Sequence, residues 1–312
     1  HILEWIHQPH TTIPFNDINM GKYKLLHSGK VRDIYIDETK TETEVEQITL
    51  FASDKLSAFD RHWCNVPYKG LILNLISIWW FENTKHIVEN HLLGYSNRQM
   101  IVKKCDIIPI EFVVRGYLTG TTETSILVNY ERGVRNYCGH ELPNGLSKYQ
   151  KLSENILTPT TKGKTDELTS KEEIIAKGTM TVADYEYCEA KALELFKYGQ
   201  QIADERELIL VDTKYEFGRD SDGNIILVDE VHTPDSSRYW IKHTYYSCFK
   251  LGQSPSNIDK EFLRKHIKAG IPEGVNPHTC DQSELPVIDD NLILETSKKY
   301  MQLYELITGQ TY

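Results

Sequence analysis

The sequence predicts an α/β (α+β) protein built from antiparallel sheets and helices, in one large or two modest domains. Three observations support this class. The chain has 312 residues, about twice the length of a typical domain. Its first third alternates short strand-like runs with turn residues, a pattern typical of antiparallel hairpins. Its second half combines an amphipathic helical pattern over residues 181–207 with a further pair of strands, so both element types are expected.

Composition excludes several functional classes. The chain carries 35 Lys and Arg against 45 Asp and Glu, a net charge of −10, whereas nucleic-acid binders carry a surplus of basic residues. No apolar run is long enough to cross a bilayer, so neither nucleic acid nor membrane is expected as a partner. The six cysteines form no CxxC pair, and no basic-then-apolar start typical of a signal peptide is seen. A cytoplasmic location with reduced thiols is therefore expected.

The first third is predicted to form a twisted antiparallel sheet. Strands are expected at residues 23–27, 31–36 and 47–52. The apolar residues 70–93 predict a buried helix. Residues 100–115 predict a strand, a break at Pro109 and a second strand. The domain boundary is placed here, which divides the chain into lobes of residues 1–107 and 108–312.

The rest of the chain is predicted to alternate helices with hairpins. Residues 121–130 predict a helix closed by Gly133, and the polar residues 151–177 predict a mobile loop. A helix over 181–207 opens at Thr181 with a capping pattern. A strand pair follows at residues 208–217 and 225–231. Helices over 259–268 and 291–308 end the chain, the last one closed by Gly309.

One strand carries the clearest chemical signal. Because side chains alternate between the faces of a strand, Asp212, Lys214 and Glu216 share one face. Asp222-Gly223 predicts a two-residue hairpin loop, and that register would place Glu216 directly opposite Asp229. Facing carboxylates repel unless a cation lies between them, and hard oxygen ligands suit Mg²⁺. The pair therefore predicts a Mg²⁺ site; the alternative is a solvated acidic face, and a longer loop would shift the register.

Two strand ends resemble anion sites. Arg115 is followed by glycines and by Thr121 at a predicted helix start, a combination that suits a phosphate group. Residues 233–237 predict a turn into a second helix, close to Asp235 and Arg238. Ordinary helix capping and a surface arginine are the alternatives.

Cations recur at these positions in a chain of net negative charge. The turn at residues 28–33 carries two of them on one face, where they could cover nucleotide phosphates. The full set is Lys30, Arg32, Arg115, Lys162, Lys214 and Arg238. Cations that cluster against the net charge predict a cleft for anionic ligands. With the carboxylate pair, they predict a Mg²⁺–nucleotide enzyme that acts on a second, phosphorylated substrate.

Six ordered motifs carry a resemblance to a known family. They are GKVRDIY (29–35), SDKLSAFD (53–60), PIEFVVRGYLTGT (109–121), LTPTTK (157–162), VDTKYEFG (211–218) and VDEVHTPDSSRYW (228–240). In this order they resemble the SAICAR synthetase family, in its long, yeast-like form, over nearly the whole chain. The resemblance implies a two-lobed fold with a protein-kinase-like, ATP-grasp-like nucleotide cleft. It also implies ATP-dependent ligation of L-aspartate to the carboxylate of carboxyaminoimidazole ribotide (CAIR), in de novo purine biosynthesis.

The resemblance further implies roles for single residues. Those expected to bind ATP are Ser28, Gly29, Lys30, Val31, Arg32, Val102, Lys103, Glu216 and Asp229, of which Glu216 and Asp229 would hold Mg²⁺. Those expected to bind the ribotide are Arg115, Thr121, Asp212, Lys214, Asp235, Ser237 and Arg238. Those expected near aspartate are Ser57, Ala58, Asp60 and Lys162. Those expected to be catalytic are Lys214, Lys30 and Arg238. The implied partners are small molecules, and the implied assembly is a monomer or homodimer.

The expected mechanism passes through an acyl phosphate of the ribotide carboxylate, so no nucleophilic side chain is required. Two alternatives remain. A kinase-like phosphotransferase is disfavoured because no HRD or DFG motif is present. A non-enzymatic nucleotide-binding module is disfavoured by the pair Glu216 and Asp229.

Overall fold

The computed structural model describes residues 22–163 and 165–311. These residues fall into two compact units. Within the described ranges, the first unit comprises residues 22–79, 91–104 and 259–311, and the second comprises residues 80–90 and 105–258. The units differ from the expected lobes of residues 1–107 and 108–312 because the C-terminal residues from 259 onward group with the N-terminal strands. Among the described residues, no helix is both long and apolar enough to cross a bilayer.

The first unit is built on a five-stranded antiparallel sheet. Its strands are β1 (Tyr23–Ser28), β2 (Arg32–Asp37), β3 (Gln47–Ala52), β6 (Leu92–Ser96) and β7 (Gln99–Lys103). The strand order is β1-β2-β3-β7-β6. The three strands expected from the sequence are confirmed. Helix α1 (Lys69–Asn83) is shorter than the expected helix over 70–93. The last part of that stretch forms β6, which completes the sheet beside β7.

A second layer of the first unit joins a hairpin to two helices. The hairpin pairs β4 (Lys55–Ala58) with β5 (Arg61–Asn65), and the helices are α6 (Glu261–Gly270) and α7 (Asp290–Thr308). Leu56 and Val66 pack with Leu263 and Ile267 in one buried cluster. Helix α7 ends at Gly309, whose φ of +71° is the left-handed conformation that glycine adopts readily. The expected closing helix and its glycine cap are confirmed.

The second unit is built on an eight-stranded sheet. Its strands are β8 (Asp106–Ile107), β9 (Ile110–Tyr117), β12 (Lys151–Leu157), β13 (Thr160–Thr161), β14 (Glu167–Leu168), β15 (Leu208–Arg219), β16 (Ile225–Val228) and β17 (Ser237–Ile241). The order is β14-β13-β9-β15-β16, with β12 on β9 and with β8 and β17 on β15. A separate short hairpin pairs β10 (Asn136–Tyr137) with β11 (His140–Glu141). The predicted α/β class with antiparallel sheets is thereby confirmed.

Four helices complete the second unit. They are α2 (Ile126–Glu131), α3 (Lys171–Ala176), α4 (Val182–Glu205) and α5 (Lys242–Lys250). Helix α4 begins after Thr181, whose hydroxyl accepts from the backbone N–H of Asp184 at 3.1 Å, as the capping pattern predicted. It packs on β15 and β9 through a buried stripe that includes Tyr185, Ala192 and Phe196. The helix therefore covers one face of the sheet with apolar side chains, and most of the charged side chains of β9 and β15 lie on the opposite face.

Three local expectations in this unit are wrong. The stretch 151–177 is not a mobile loop, since it forms β12, β13, β14 and α3 and buries Leu152, Ile156 and Leu157. The helix expected from Thr121 starts only at Ile126. The turn at 233–237 leads into strand β17 rather than a helix. In the first and third cases, pairing with β9 or β15 buries apolar side chains, and this tertiary gain outweighs local polarity and capping signals. Before α2, residues 122–125 instead form a turn, in which the Ser125 N–H donates to the Thr122 carbonyl at 2.9 Å.

Candidate functional site

The candidate site in the second unit lies on one face of the β9–β15 pair. The antiparallel register sets Asp212 opposite Arg115 and Lys214 opposite Val113. Paired residues share a face and side chains alternate along each strand. Asp212, Lys214 and Glu216 therefore lie on the same face as Arg115, as the sequence predicted for the three β15 residues. The result is a row of positively and negatively charged side chains, most of whose area is shielded from solvent.

Lys214 lies at the centre of this row. Its Nζ atom donates to Glu111 Oε1 at 3.1 Å and to Glu216 Oε1 at 3.0 Å, and its side chain is 29% exposed. Burial alone would lower the pKa of Lys214, but the attraction of Glu216, Glu111 and Asp229 outweighs it and holds the pKa well above its ordinary value. Lys214 is thus a fixed positive charge whose position is set by two carboxylates.

Glu216 is shared between two lysines. One carboxylate oxygen accepts from Lys214, and the other accepts from Lys162 Nζ. Its side chain is 5% exposed, whereas that of Lys162 is 43% exposed. Burial would raise the pKa of Glu216, but the two ammonium groups lower it to about 2. Glu216 therefore stays ionised at neutral pH, as a ligand for cations must.

Two arginines converge on Asp212 beside the lysine. Arg238 donates to Asp212 Oδ2 at 2.9 Å, while Arg115 lies 3.9 Å from the same oxygen and donates through Nε to Thr158 Oγ1 at 2.9 Å. A Cβ atom at Gly120 would lie 3.3 Å from Arg238 Nη2, so the second guanidinium reaches the loop after β9. Two buried guanidinium groups at a glycine-containing loop suit a phosphate or carboxylate.

The loop after β9 carries Thr121, one of the predicted ribotide residues. Its neighbour Thr122 donates from its backbone N–H to Ser125 Oγ at 3.0 Å, and Ser125 occupies the N-cap position of α2. Arg115 Nη2 reaches the Thr124 carbonyl at 3.4 Å. Ser125, rather than Thr121, therefore organises the helix start, and the loop that holds Thr121 lies against Arg115.

The segment 233–237, which ends at the first residue of β17, carries two further predicted ribotide residues. Ser237 shares a hydrogen bond with Thr213 at 2.7 Å between the two Oγ atoms. The backbone N–H of Asp235 donates to Thr233 Oγ1 at 3.3 Å. The carbonyl of Ser236 accepts from the Lys214 N–H at 3.1 Å. These bonds join the segment to β15 next to Lys214.

The predicted register of the β15–β16 hairpin is wrong by one residue. Glu216 lies opposite Val228, not Asp229. The loop has three residues, because the Asp220 N–H bonds to the Asn224 carbonyl at 3.0 Å and Gly223 adopts a φ of +84°. Asp229 instead follows the end of β16 with a φ of +67°, and it still acts on the Lys214 charge. The two carboxylates thus do not face each other across the ladder, although both raise the pKa of Lys214.

The predicted nucleotide loop lies in the first unit, between β1 and β2. Ser28 donates to Asp33 Oδ1 at 2.6 Å, and the Gly29 N–H donates to the Arg32 carbonyl at 2.9 Å. The Val31 carbonyl accepts from Ser53 Oγ at 2.8 Å. The loop is a closed turn with Lys30 at its tip. Two other predicted ATP residues, Val102 and Lys103, lie on β7 within the same sheet.

The predicted aspartate residues are distributed over both units. Ser57 and Ala58 are buried on β4, and Asp60 follows in the hairpin turn. Asp60 pairs with Lys30 at 2.5 Å and with His278 at 3.1 Å. Lys162 belongs to the second unit, where it contacts Glu216. The structure thus joins one predicted aspartate residue to the predicted ATP loop.

Three residues of the charged face were missed by sequence reasoning. Glu111 is 9% exposed and accepts from Lys214 and, through Oε2, from Thr160 Oγ1 at 3.0 Å. Thr158 accepts from Arg115. Alternation along β9 would have placed Glu111 on the Arg115 face, so a signal for it was present. The motif at 157–162 contains Thr158 and Thr160 but gave neither a role, because their contacts are with residues more than 40 positions away.

Comparison with known proteins gives one consistent family. The family model described as SAICAR synthetase matches residues 25–276. The chain is 50% identical over 283 residues to "Phosphoribosylaminoimidazole-succinocarboxamide synthase, chloroplastic" of Arabidopsis thaliana, covering 90% of this chain and 66% of that protein, just under two thirds of its length. It is 47% identical over 304 residues to the synthase of the same name from Legionella pneumophila (strain Paris), covering 97% and 91%. A solved structure described as SAICAR-synthase from Saccharomyces cerevisiae complexed with SAICAR has a TM-score of 0.75 at 31% identity, covering 97% of this chain and 99% of the other.

Proposed function

The chain belongs to the SAICAR synthetase family, and from this premise we infer that it is a phosphoribosylaminoimidazole-succinocarboxamide synthase. The reaction joins the amine of L-aspartate to the carboxylate of CAIR, with conversion of ATP to ADP and phosphate, in purine biosynthesis. The observation that carries this inference is the charged face of β9 and β15. There, Lys214, Arg115 and Arg238 are held by buried carboxylates and hydroxyls.

The proposed chemistry follows from the low reactivity of a carboxylate. An amine does not displace a carboxylate oxygen unaided, so the γ-phosphoryl group of ATP is first transferred to the CAIR carboxylate. This gives an acyl phosphate and ADP. The aspartate amine then attacks the acyl carbon, phosphate leaves, and the amide forms. Catalysis comes from positioning and charge neutralisation rather than from a side-chain nucleophile.

Each substrate is assigned to its own set of residues. We assign the ribotide to Arg115 and Arg238, with Thr121, Asp212, Asp235 and Ser237 orienting them or the sugar. Lys214, a fixed cation, neutralises charge on the transferring group. Lys30 and Arg32 on the β1–β2 loop are assigned to ATP phosphates, together with the other predicted residues of that loop and of β7. Asp60 is retained as the candidate contact for aspartate.

The charged face also fits a magnesium ion. Mg²⁺ is usually held by one or two carboxylates and by water and phosphate oxygens, not by a full protein cage. Glu216 and Asp229 supply two such carboxylates near Lys214. Across residues 22–163 and 165–311, no group of three or more His, Cys, Asp or Glu is placed to hold a metal ion. Bound there, Mg²⁺ would neutralise phosphate charge.

The decisive assay is release of ADP with each substrate omitted in turn. A ligase releases ADP at the full rate only when both CAIR and L-aspartate are present. Full ADP release with the ribotide alone would instead indicate a phosphotransferase. No ADP release with all three substrates and Mg²⁺ would indicate a nucleotide-binding module and overturn the proposal.

An ¹⁸O-labelling experiment tests which substrate's carboxylate is phosphorylated. CAIR labelled with ¹⁸O in its carboxylate should pass one label to the released phosphate, because the acyl phosphate carries that oxygen away. Aspartate labelled in its carboxylates should pass none. Unlabelled phosphate from labelled CAIR would exclude the acyl-phosphate route and, with it, the role assigned to Lys214.

Location and assembly remain predictions. The sequence predicts a cytoplasmic protein, whereas the name of the plant relative includes "chloroplastic". Either a monomer or a homodimer is expected. Size-exclusion chromatography with light scattering distinguishes the two.

A further inference from the structure

The turn between β16 and β17 holds two residues in an unfavourable backbone conformation. Asp229 has a φ of +67° and His232 a φ of +50°. Neither is glycine. Asp and His adopt this region more often than most residues with a Cβ atom, but it remains uncommon for them, and surrounding contacts stabilise it. Contacts with the rest of the unit therefore stabilise the turn. Val231, His232 and Thr233 are all fully buried, and of these His232 carries the ring whose contacts can be followed.

Contacts on several sides hold the imidazole ring of His232. Its Nε2 atom shares a hydrogen bond with the Tyr215 hydroxyl. The Trp80 ring packs edge-on, with the ring centres 4.5 Å apart. On the backbone side, the His232 carbonyl accepts from the Tyr239 hydroxyl at 2.6 Å. The ring and the main chain of this one residue are thus both anchored.

Helix α4 closes the remaining side. A Cβ atom at Gly199 would lie 2.5 Å from His232 Cε1 and 2.9 Å from Nδ1, closer than any real Cβ approaches. The imidazole therefore rests against bare helix backbone and cannot swing toward it. Within residues 22–163 and 165–311, Nδ1 has no hydrogen-bond partner, so Tyr215 is the polar contact that selects the ring orientation.

Tyr215 connects this buried ring to the charged face. It lies on β15 between Lys214 and Glu216, and alternation sends its side chain to the opposite face of the sheet. The Tyr215 hydroxyl therefore contacts His232 on the face of the sheet opposite to the one that carries Lys214 and Glu216. Asp229, at the start of the same turn, is one of the carboxylates that act on Lys214. The hydrogen bond thus links the position of Asp229 to the strand that carries the other charges.

We propose that the Tyr215–His232 hydrogen bond is a positioning contact that holds the turn 229–233 and so sets the place of the Asp229 carboxylate relative to Glu216. His232 and Tyr215 act through Asp229 and touch no substrate. The effect on the backbone of the turn stands independently of the reaction. The effect on magnesium rests on the proposed function.

The first measurement is amide hydrogen exchange of the turn in ligand-free protein. Tyr215→Phe removes one oxygen atom and retains the ring, so it should fold. It should speed exchange in residues 229–233 about tenfold, the scale of one lost hydrogen bond, and leave helix α4 unchanged. His232→Leu should do the same, and the double variant should be no worse than either single one. Tyr130→Phe is the control and should leave the turn unchanged. It removes a part-buried hydroxyl that donates to the Pro143 carbonyl and accepts from the Leu146 N–H.

The second measurement is the Mg²⁺ concentration that gives half-maximal turnover. It should rise about tenfold in Tyr215→Phe and in His232→Leu, whereas the KM for aspartate stays near the wild-type value. His232→Gln, which restores a polar partner for Tyr215, should recover part of the loss. If the substitutions only destabilised the fold, the free energy of unfolding, the Mg²⁺ concentration for half-maximal turnover and the KM for aspartate would all change.

Two results would overturn the proposal. Unchanged exchange in residues 229–233 of Tyr215→Phe means that the bond does not hold the turn. Faster exchange with unchanged Mg²⁺ dependence means that the turn does not set the place of Asp229. Failure of the proposed function looks different, since wild-type protein would then release ADP fully without L-aspartate, or release none, while the exchange result would still stand.

Discussion

Replacing Glu216 by glutamine removes the charge that two lysines share. The side chain keeps its shape but can no longer attract Lys214 or Lys162. Removing one partner of a buried ion pair costs about 3–5 kcal/mol. The lower end applies to this site, because Lys214 keeps its bond to Glu111 and Lys162 is 43% exposed. We therefore expect Glu216→Gln to lower the free energy of unfolding by about 3 kcal/mol at pH 7.

The matched control is an exposed pair of similar geometry in the same unit. Lys148 Nζ lies 2.8 Å from Glu131 Oε1, but these side chains are 53% and 47% exposed. Exposed ion pairs contribute less than about 1 kcal/mol, so Glu131→Gln should change the free energy of unfolding by no more than that. Urea unfolding of both variants and the wild type, followed by circular dichroism, measures the difference.

The stability difference between wild type and Glu216→Gln should also depend on pH. The fold lowers the pKa of Glu216 from 4.5 to about 2, so its stabilising contribution is complete above pH 4.5 and is lost as the pH falls toward 2. The gap in stability between wild type and Glu216→Gln should therefore narrow within that window. If Glu216→Gln is no more destabilising than Glu131→Gln at pH 7, the two-lysine account of the site is refuted.

Three further outcomes are expected. Asp229→Asn should lower turnover by at least ~10²-fold at saturating Mg²⁺, the scale of one preorganised electrostatic contact; near-normal ADP release would contradict its assignment. Arg115→Ala and Arg238→Ala should each weaken ribotide binding by roughly 1.5–3 kcal/mol with far less effect on ATP, as measured by calorimetry, and equal losses for both ligands would mean that the pocket is wrongly assigned. Burial lowers the pKa of His232 from 6.5 to about 3, so its neutral form stabilises the fold fully above pH 6.5 and that contribution is lost as the pH falls toward 3, with a slope of up to about 1.4 kcal/mol per pH unit. His232→Leu should flatten this slope in acid unfolding, and an unchanged slope would contradict the burial argument.

The sequence by itself determined the features that depend on local periodicity. Alternation along residues 208–217 placed Asp212, Lys214 and Glu216 on one face, and the structure has them there. The capping residue Thr181 and the terminal Gly309 marked helix ends correctly, because a cap involves only residues within a turn of it. The order of six motifs identified the family, since together they span most of the chain.

Only the tertiary structure decided which strands meet and in which register. The Asp222-Gly223 signal is compatible with loops of two or three residues, and one extra residue moves Val228, not Asp229, opposite Glu216. Local sequence cannot resolve that choice, because a shift of one residue exchanges the two faces of a strand and is settled by burial across the whole sheet. For the same reason Glu111, 103 positions from Lys214, became its second carboxylate only when β9 paired with β15.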